Sequence, residues 1–145
     1  MIRLEKVNKN NYKECLNLKV AEDQSQFLST NLKSLALAYV FYDTVTPFAI
    51  YNNDLMVGFI MVRFNKEYKS YFIWQFMIDE RYQSNGHGKR ALKQAIEWMK
   101  KNERCTKITT TYKEGNDGAH RLYTQLGFEQ MGEMIEGEVD MVLHI

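Results

Sequence analysis

The stretch IDERYQSNGHGKRALKQAIEWMKKN, residues 78–102, sets two glycines ahead of a run in which Ala91, Leu92, Ala95, Ile96 and Met99 recur at helical spacing. The spacing predicts an amphipathic helix over residues 86–101, one face buried and the other charged. A glycine-rich turn opening a helix leaves unpaired backbone N–H groups at the positive end of the helix dipole, which suits a phosphate. Ahead of it, KSYFIWQFMID is rich in aromatic and β-branched residues and reads as a central strand. Behind it, TKITTTY is a second β-branched strand. Two strands joined through a helix are expected to lie parallel in one sheet.

The remaining elements follow from the same reading. IRLEKVN is a short first strand, and NNYKECLNLKV places Tyr12, Leu16 and Val20 on one side of a helix with Asn10 or Asn11 as its cap. SQFLSTNLKSLALAYVF carries apolar residues at 28, 32, 35, 36 and 39, the stripe of a second helix. TPFAIYNNDLMVGFIMVRFN is two apolar runs about Asn52-Asn53-Asp54, a hairpin signal. NDGAHRLYTQLGF is a short helix closed by Gly127, and FEQMGEMIEGEVDMVLHI ends the chain as two strands. The predicted order β-α-α-β-β-β-α-β-α-β-β is an α/β (α+β) fold, a mixed sheet with helices on both faces, and 145 residues suffice for one domain, 1–145.

Composition narrows the function. Lys plus Arg number 19 against 18 for Asp plus Glu, a balance that argues against nucleic acid as the main ligand. Cys15 and Cys105 stand far apart, and His87, His120 and His144 share no ligand spacing, so neither a disulfide framework nor a metal site is expected. The start of the chain is charged from Arg3 and no window is apolar enough to span a membrane, so the expectation is a cytoplasmic protein with no membrane partner.

Three phosphate-binding patterns compete for the glycines. A Walker A loop fails twice, because Gln83 stands where its first glycine belongs and Arg90 follows Gly88-Lys89. Gly86-His87-Gly88-Lys89-Arg90-Ala91 satisfies GxGxxA, but DERYQSN separates it from the strand, and the chain after Ala91 is too short for a second mononucleotide half. The third pattern, [QR]xxGx[GA], is met by Gln83-Ser84-Asn85-Gly86-His87-Gly88. Downstream, Asn116 and Ala119 fit Asn-x-x-Ala, and Leu122, Tyr123, Leu126, Gly127 and Phe128 fit Leu-Tyr-x-x-Leu-Gly-Phe. With these two signatures in this order the chain resembles the GCN5-related N-acetyltransferases (GNAT) along essentially its whole length.

The resemblance implies an acyl-CoA N-acyltransferase fold in which the two central parallel strands splay apart at their C-terminal ends. Acetyl-CoA would be the co-substrate, its pyrophosphate held by Gln83, Ser84, Asn85, Gly86, His87, Gly88 and Lys89. Its pantetheine arm would lie along the backbone of Phe76, Met77 and Ile78 and near Asn116 and Ala119, with Phe72 on the same face as Phe76 and Ile78. Asn116 also suits a helix cap. Tyr123 would donate a proton to the departing thiolate; the alternative is a tyrosine that anchors its helix to the sheet. Animal spermidine/spermine acetyltransferases place a Glu-Asp pair two residues before the Phe76 position, where this chain has Trp74-Gln75, so no base is assigned by motif.

The stretch AEDQSQFLSTNLKSLALAYV is similar to that of a bacterial subgroup that includes spermine/spermidine acetyltransferases. Glu22 and Asp23 would stand just before the second helix, either as ordinary helix-start acids or as partners of a polyamine's ammonium groups. Tyr42, Asp43 and Trp74 would complete an aromatic and acidic cleft for a small-molecule amine. The acceptor read first is spermine or spermidine. Another amine (an aminoglycoside, an amino acid or a protein N-terminus) and a CoA-binding module without turnover remain alternatives, and homodimers are common in the family.

Overall fold

The computed structural model describes residues 1–145, the side chain of Gln26 excepted. The element order is β1 (Ile2–Lys6), α1 (Tyr12–Leu16), a 3-10 helix (Glu22–Phe27), α2 (Asn31–Val40), β2 (Val45–Asn52), β3 (Leu55–Asn65) and β4 (Ser70–Ile78). A short 3-10 turn (Glu80–Tyr82), α3 (His87–Lys100), β5 (Lys107–Lys113), α4 (Asp117–Gln125), β6 (Glu129–Gln130) and β7 (Glu138–His144) follow. Apart from the 3-10 turns, this is the order expected from the sequence. One sheet runs β1-β2-β3-β4-β5-β7-β6, and β4 and β5 form its parallel pair.

The sheet is buried on both faces. On one, Ala91, Leu92, Ala95, Ile96 and Met99 of α3 pack with Ile50, Ile60, Val62, Tyr71, Ile73 and Ile108, the stripe read from the sequence. On the other, Cys15, Leu18 and Ala38 cover Ala49, Phe59, Met61 and Met77. The hairpin between β2 and β3 turns on Asn53-Asp54, with Asn52 opposite Leu55 and Asn53 at φ 56°, a conformation asparagine tolerates.

The helices on that second face differ from expectation. α1 stops at Leu16, and its buried residue is Cys15, with Tyr12 exposed. In α2 the buried positions are Asn31, Ser34 and Ala38, whereas Leu32 and Tyr39 of the predicted stripe point outward. The reason is polar. Asn31 Nδ2 donates to the Cys15 carbonyl at 2.9 Å and so ties α2 to α1 through its first residue. Thr30 caps α2 by accepting from the Lys33 N–H at 3.2 Å. Glu22 and Asp23 therefore belong to a separate 3-10 helix rather than to the dipole of α2.

β4 also departs from simple alternation. Gln75 faces Met61 and Ile73 faces Val62, so Trp74 is an extra residue in β4, a β-bulge. Counting by two across it puts Phe72 with Phe76 and Ile78, but the bulge breaks that parity. Phe76 and Ile78 pack on the α3 side together with Tyr71 and Ile73, and Phe72 is in neither core cluster.

β3 passes β4 tightly at Gly58, where any Cβ would collide with the Met77 carbonyl oxygen and approach Ile78 Cδ1 at 2.8 Å. Gly58→Ala is expected to destabilise the fold by about 1–3 kcal/mol, as overpacking does, read as a lower urea midpoint at unchanged slope.

Candidate acetyl-transfer site

β4 and β5 pair only from Ser70↔Lys107 to Ile73↔Thr110. Beyond that the strands part, at the bulged Trp74, and a cleft of about 230 Å³ opens between them. Its walls come from both faces of the sheet. Phe76, Ile78, Thr110, Tyr112, Ala119 and Tyr123 line it on the α3 side, and Gln24, Phe27, Leu28, Trp74, Gln75 and Thr111 line it toward the first helices.

Tyr123 is held by the end of its own helix. Gly127, at φ 95°, lets the Gly127 N–H donate to the Thr124 carbonyl (3.1 Å) and the Phe128 N–H to the Tyr123 carbonyl (3.0 Å), a Schellman closure. The Phe128 ring then packs on the Tyr123 ring with centroids 5.3 Å apart, and Tyr112 stacks on it at 6.4 Å and 22°. The signature Leu-Gly-Phe is thus a clamp that fixes the phenol's direction. Burial pushes the Tyr123 phenol above its usual value, opposed only in part by a hydrogen bond with the Thr110 hydroxyl, which donates to the Ile73 carbonyl at 3.3 Å. A phenol so placed stays neutral near pH 7 and keeps a proton to give. Asn116 caps α4, its Oδ1 accepting from the Ala119 N–H at 3.2 Å.

The glycine loop lies at the end of the same cleft. Ser84 (φ 66°) and Gly86 (φ 77°) are left-handed, and Gly86 caps α3 without a side-chain acceptor. The first-turn N–H groups of a 14-residue helix therefore have no side-chain cap, as an anion site requires. Gly88 packs closely on Phe76, with an ideal Cβ lying 3.5 Å from its ring. Arg90 folds back so that Nη2 donates to the Asn85 carbonyl at 2.9 Å and sits 3.0 Å from His87 Nδ1. Burial, and then the Arg90 charge, hold His87 below its usual value. These residues fit a pyrophosphate: bare N–H donors, with Lys89 and Arg90 adding positive charge.

Gln83 has a second role. Its Nε2 donates to the Ile78 carbonyl (2.8 Å) and to Gln24 Oε1 (2.7 Å), while Gln24 Nε2 donates back to Gln83 Oε1 (3.1 Å). Asp79 adds a further latch, accepting from the Lys19 N–H (2.9 Å), the Arg81 N–H (3.0 Å) and Arg81 Nε (2.9 Å). Burial alone would raise the Asp79 carboxyl, but the hydrogen bonds from Arg81 and Lys19 outweigh it and hold it below the usual range.

The sequence-derived residues divide accordingly. Phe76, Met77, Ile78, Gln83, Asn116, Ala119, Tyr123 and Trp74 line the cleft, Ser84 to Gly86 form the adjoining loop, and His87 to Lys89 are the first turn of α3. The others lie elsewhere. Glu22 and Asp23 are exposed and do not line it, and Tyr42 lines a separate shallow groove with Tyr12 and Tyr39. Asp43, also exposed, is not in the lining. One face of the Trp74 site already holds a cation, because the Arg63 guanidinium lies 5.6 Å from the Trp74 ring and 4.4 Å from that of Phe41. Thr110 and Thr111 were not singled out by sequence reasoning, since nothing in a run of threonines says which of them meets the splay.

Comparison with known proteins agrees with this geometry. Residues 12–128 match the model of the acetyltransferase (GNAT) family. The chain belongs to that family. It is an acetyl-CoA-dependent N-acetyltransferase, with acetyl-CoA as its co-substrate. It is 32% identical to the spermine/spermidine N(1)-acetyltransferase of Bacillus subtilis strain 168, over 97% of each chain. It is 31% identical to a probable spermine N(1)-acetyltransferase of Bacillus subtilis subsp. natto, again over 97% of each. In fold it is similar to a Vibrio cholerae spermidine N-acetyltransferase in complex with CoA and spermine (TM-score 0.82, 16% identity, 99% and 95% of the two chains). The Escherichia coli ribosomal-protein-S18-alanine N-acetyltransferase shares the fold too, with TM-score 0.78 and 18% identity over 100% of this GNAT chain and 94% of that one.

Replacing Asp79 by Asn is expected to cost on the order of 1–3 kcal/mol at pH 7, as charged hydrogen bonds at a buried carboxylate do. Because the folded carboxyl is held low, its contribution is complete above the unfolded value of about 4 and is lost as the pH falls through the folded one. Urea midpoints of the two proteins should differ at pH 7 and converge in acid.

Proposed function

We propose that this chain moves the acetyl group of acetyl-CoA to a primary amine of spermine or spermidine by direct attack, with Tyr123 as general acid. The observation that carries the acceptor is the match to the Bacillus subtilis spermine/spermidine acetyltransferase across 97% of both chains. The chemistry rests on Tyr123, a buried neutral phenol at the splay of β4 and β5. Bound acetyl-CoA would supply an activated thioester. The loop from Gln83 to Lys89 would hold its pyrophosphate, and the strand edge from Trp74 to Ile78 would hold its arm. Trp74, Phe27 and Leu28 would pack on the methylenes of the acceptor. The reaction is placed in the cytoplasm.

A second reading has its own observation. Among the described residues the cleft is lined by no carboxylate, and Arg63 already stacks on Trp74. That suits an acceptor of lower charge, such as an amino acid or a protein N-terminus, better than a tetracation.

Thiol release from acetyl-CoA against spermine, spermidine, putrescine, lysine, an aminoglycoside and an alanyl peptide separates the two. Saturation by spermine or spermidine alone is the expected result, and turnover confined to the peptide or lysine would replace it with the second reading. Tyr123→Phe is expected to lower kcat by about 100-fold or more while acetyl-CoA still binds, read by steady-state kinetics and calorimetry. An unchanged kcat would leave Tyr123 as an anchor of α4.

A further inference from the structure

An amine with pKa near 10 is about 0.1% neutral at pH 7, a deficit of roughly 4 kcal/mol, so its proton must go somewhere. Among the described residues the cleft lining contains no carboxylate, but it contains a hydroxyl hydrogen-bonded to one. Thr111 on β5 faces Asp140 on β7 in register, and its Oγ1 donates to Asp140 Oδ1 at 2.6 Å. We propose that Thr111 and Asp140 together take the proton of the attacking amine: Thr111 touches the substrate, and Asp140 positions and charges it from behind.

The arrangement has a direction. With its hydrogen given to Asp140, Thr111 Oγ1 can only accept on its remaining side, where it would meet an ammonium N–H. Before the amine attacks, Thr111 takes that proton and its own passes to Asp140, leaving a neutral amine and a neutral carboxylic acid, with charge and protons conserved. The second N–H proton, shed as the amide forms, replaces the one Tyr123 gives to the thiolate. Adjacent residues of β5 then serve the two halves of the reaction. Thr110 bonds the Tyr123 phenol on the α3 side, and Thr111 points to the opposite face, toward the first helices. Asp140 is half-buried, so its charge is less screened than that of the exposed acids. On the same side of the sheet, Lys113 and Glu138 face each other at the next position along β5 and β7, Lys107 faces His144 toward the other end of that pair, Glu129 on β6 lies opposite Val142, and Arg63 of β3 stacks on Trp74. The 3-10 helix contributes Glu22 and Asp23, its Phe27 lying 3.9 Å from where a Cβ would stand on Gly115.

This inference rests on the amine-acetyltransferase reading and is tested apart from the choice of polyamine. Asp140→Asn, Thr111→Val and Thr111→Ser are compared with the unaltered chain on spermine, or on whichever panel amine it acetylates, from about pH 7 to about pH 10. Asp140→Asn and Thr111→Val are expected to lower kcat/KM for the amine about 100-fold at pH 7, with KM for acetyl-CoA unchanged. The loss should shrink toward pH 10, where the free amine no longer needs the pair, and Thr111→Ser should restore most of the rate. A loss equal at every pH, a KM for acetyl-CoA that moves with it, or no loss at all would make the pair a cross-strand contact only and overturn the proposal. Failure of spermine and spermidine with success of another amine would sink the polyamine and leave the pair to be judged on that amine. Silence with every amine while acetyl-CoA binds would overturn both.

Discussion

The structure turns on a parallel strand pair that stops after four positions. β4 and β5 are bonded from Ser70↔Lys107 to Ile73↔Thr110 and then diverge, leaving the facing backbone edges of both strands without a ladder. Backbone N–H and C=O groups in a cleft are costly without partners, so such a gap suits a ligand whose own amides can pair there. The divergence has a local cause in the sheet. Trp74 is an extra residue against β3, and a bulge bends its strand and increases the twist at the point where β4 leaves β5. Gly58 permits β3 to follow the bend, because no side chain intervenes at the Met77 carbonyl.

The remaining parts of the site are hung from this gap by short hydrogen-bonded clamps. Gly127 and Phe128 fasten the backbone and ring of Tyr123, Asn116 starts the helix that carries it, and Thr110 meets its hydroxyl. At the far end, Gln83 and Asp79 fasten β4 and the glycine loop to residues 19 and 24 of the N-terminal segment. The wall expected to meet the acceptor is thus tied to the loop expected to meet the phosphates. Much of what reads as a binding signature is also the means by which the binding surface is held.

The first helices show where patterns mislead. Their exposed Leu32 and Tyr39, and their buried Asn31 and Ser34, invert the rule that apolar spacing marks the buried face. α2 is fixed by one amide reaching a carbonyl of α1, a contact between residues 16 positions apart that no periodicity encodes. For the same reason Glu22, Asp23, Tyr42 and Asp43, which look like a cation site when read in order, do not line the cleft. Trp74 does, but it shares a face with Arg63 from the neighbouring strand.

The sequence by itself determined the elements, their order, the parallel pair and the glycine loop, because each depends on local properties: apolar period, turn residues and a left-handed glycine. It also marked Tyr123 and Asn116, which sit within a short contiguous signature, and Phe76 to Ile78, by their place in the strand ahead of the glycine loop; all of them line the cleft. Only the tertiary structure decided the parity of β4 after Trp74, the buried face of α2 and the meeting of Thr111 with Asp140. A bulge, an interhelix amide and a cross-strand pair are set by which segments are brought side by side. That pairing of distant residues leaves no trace in the spacing of either segment alone.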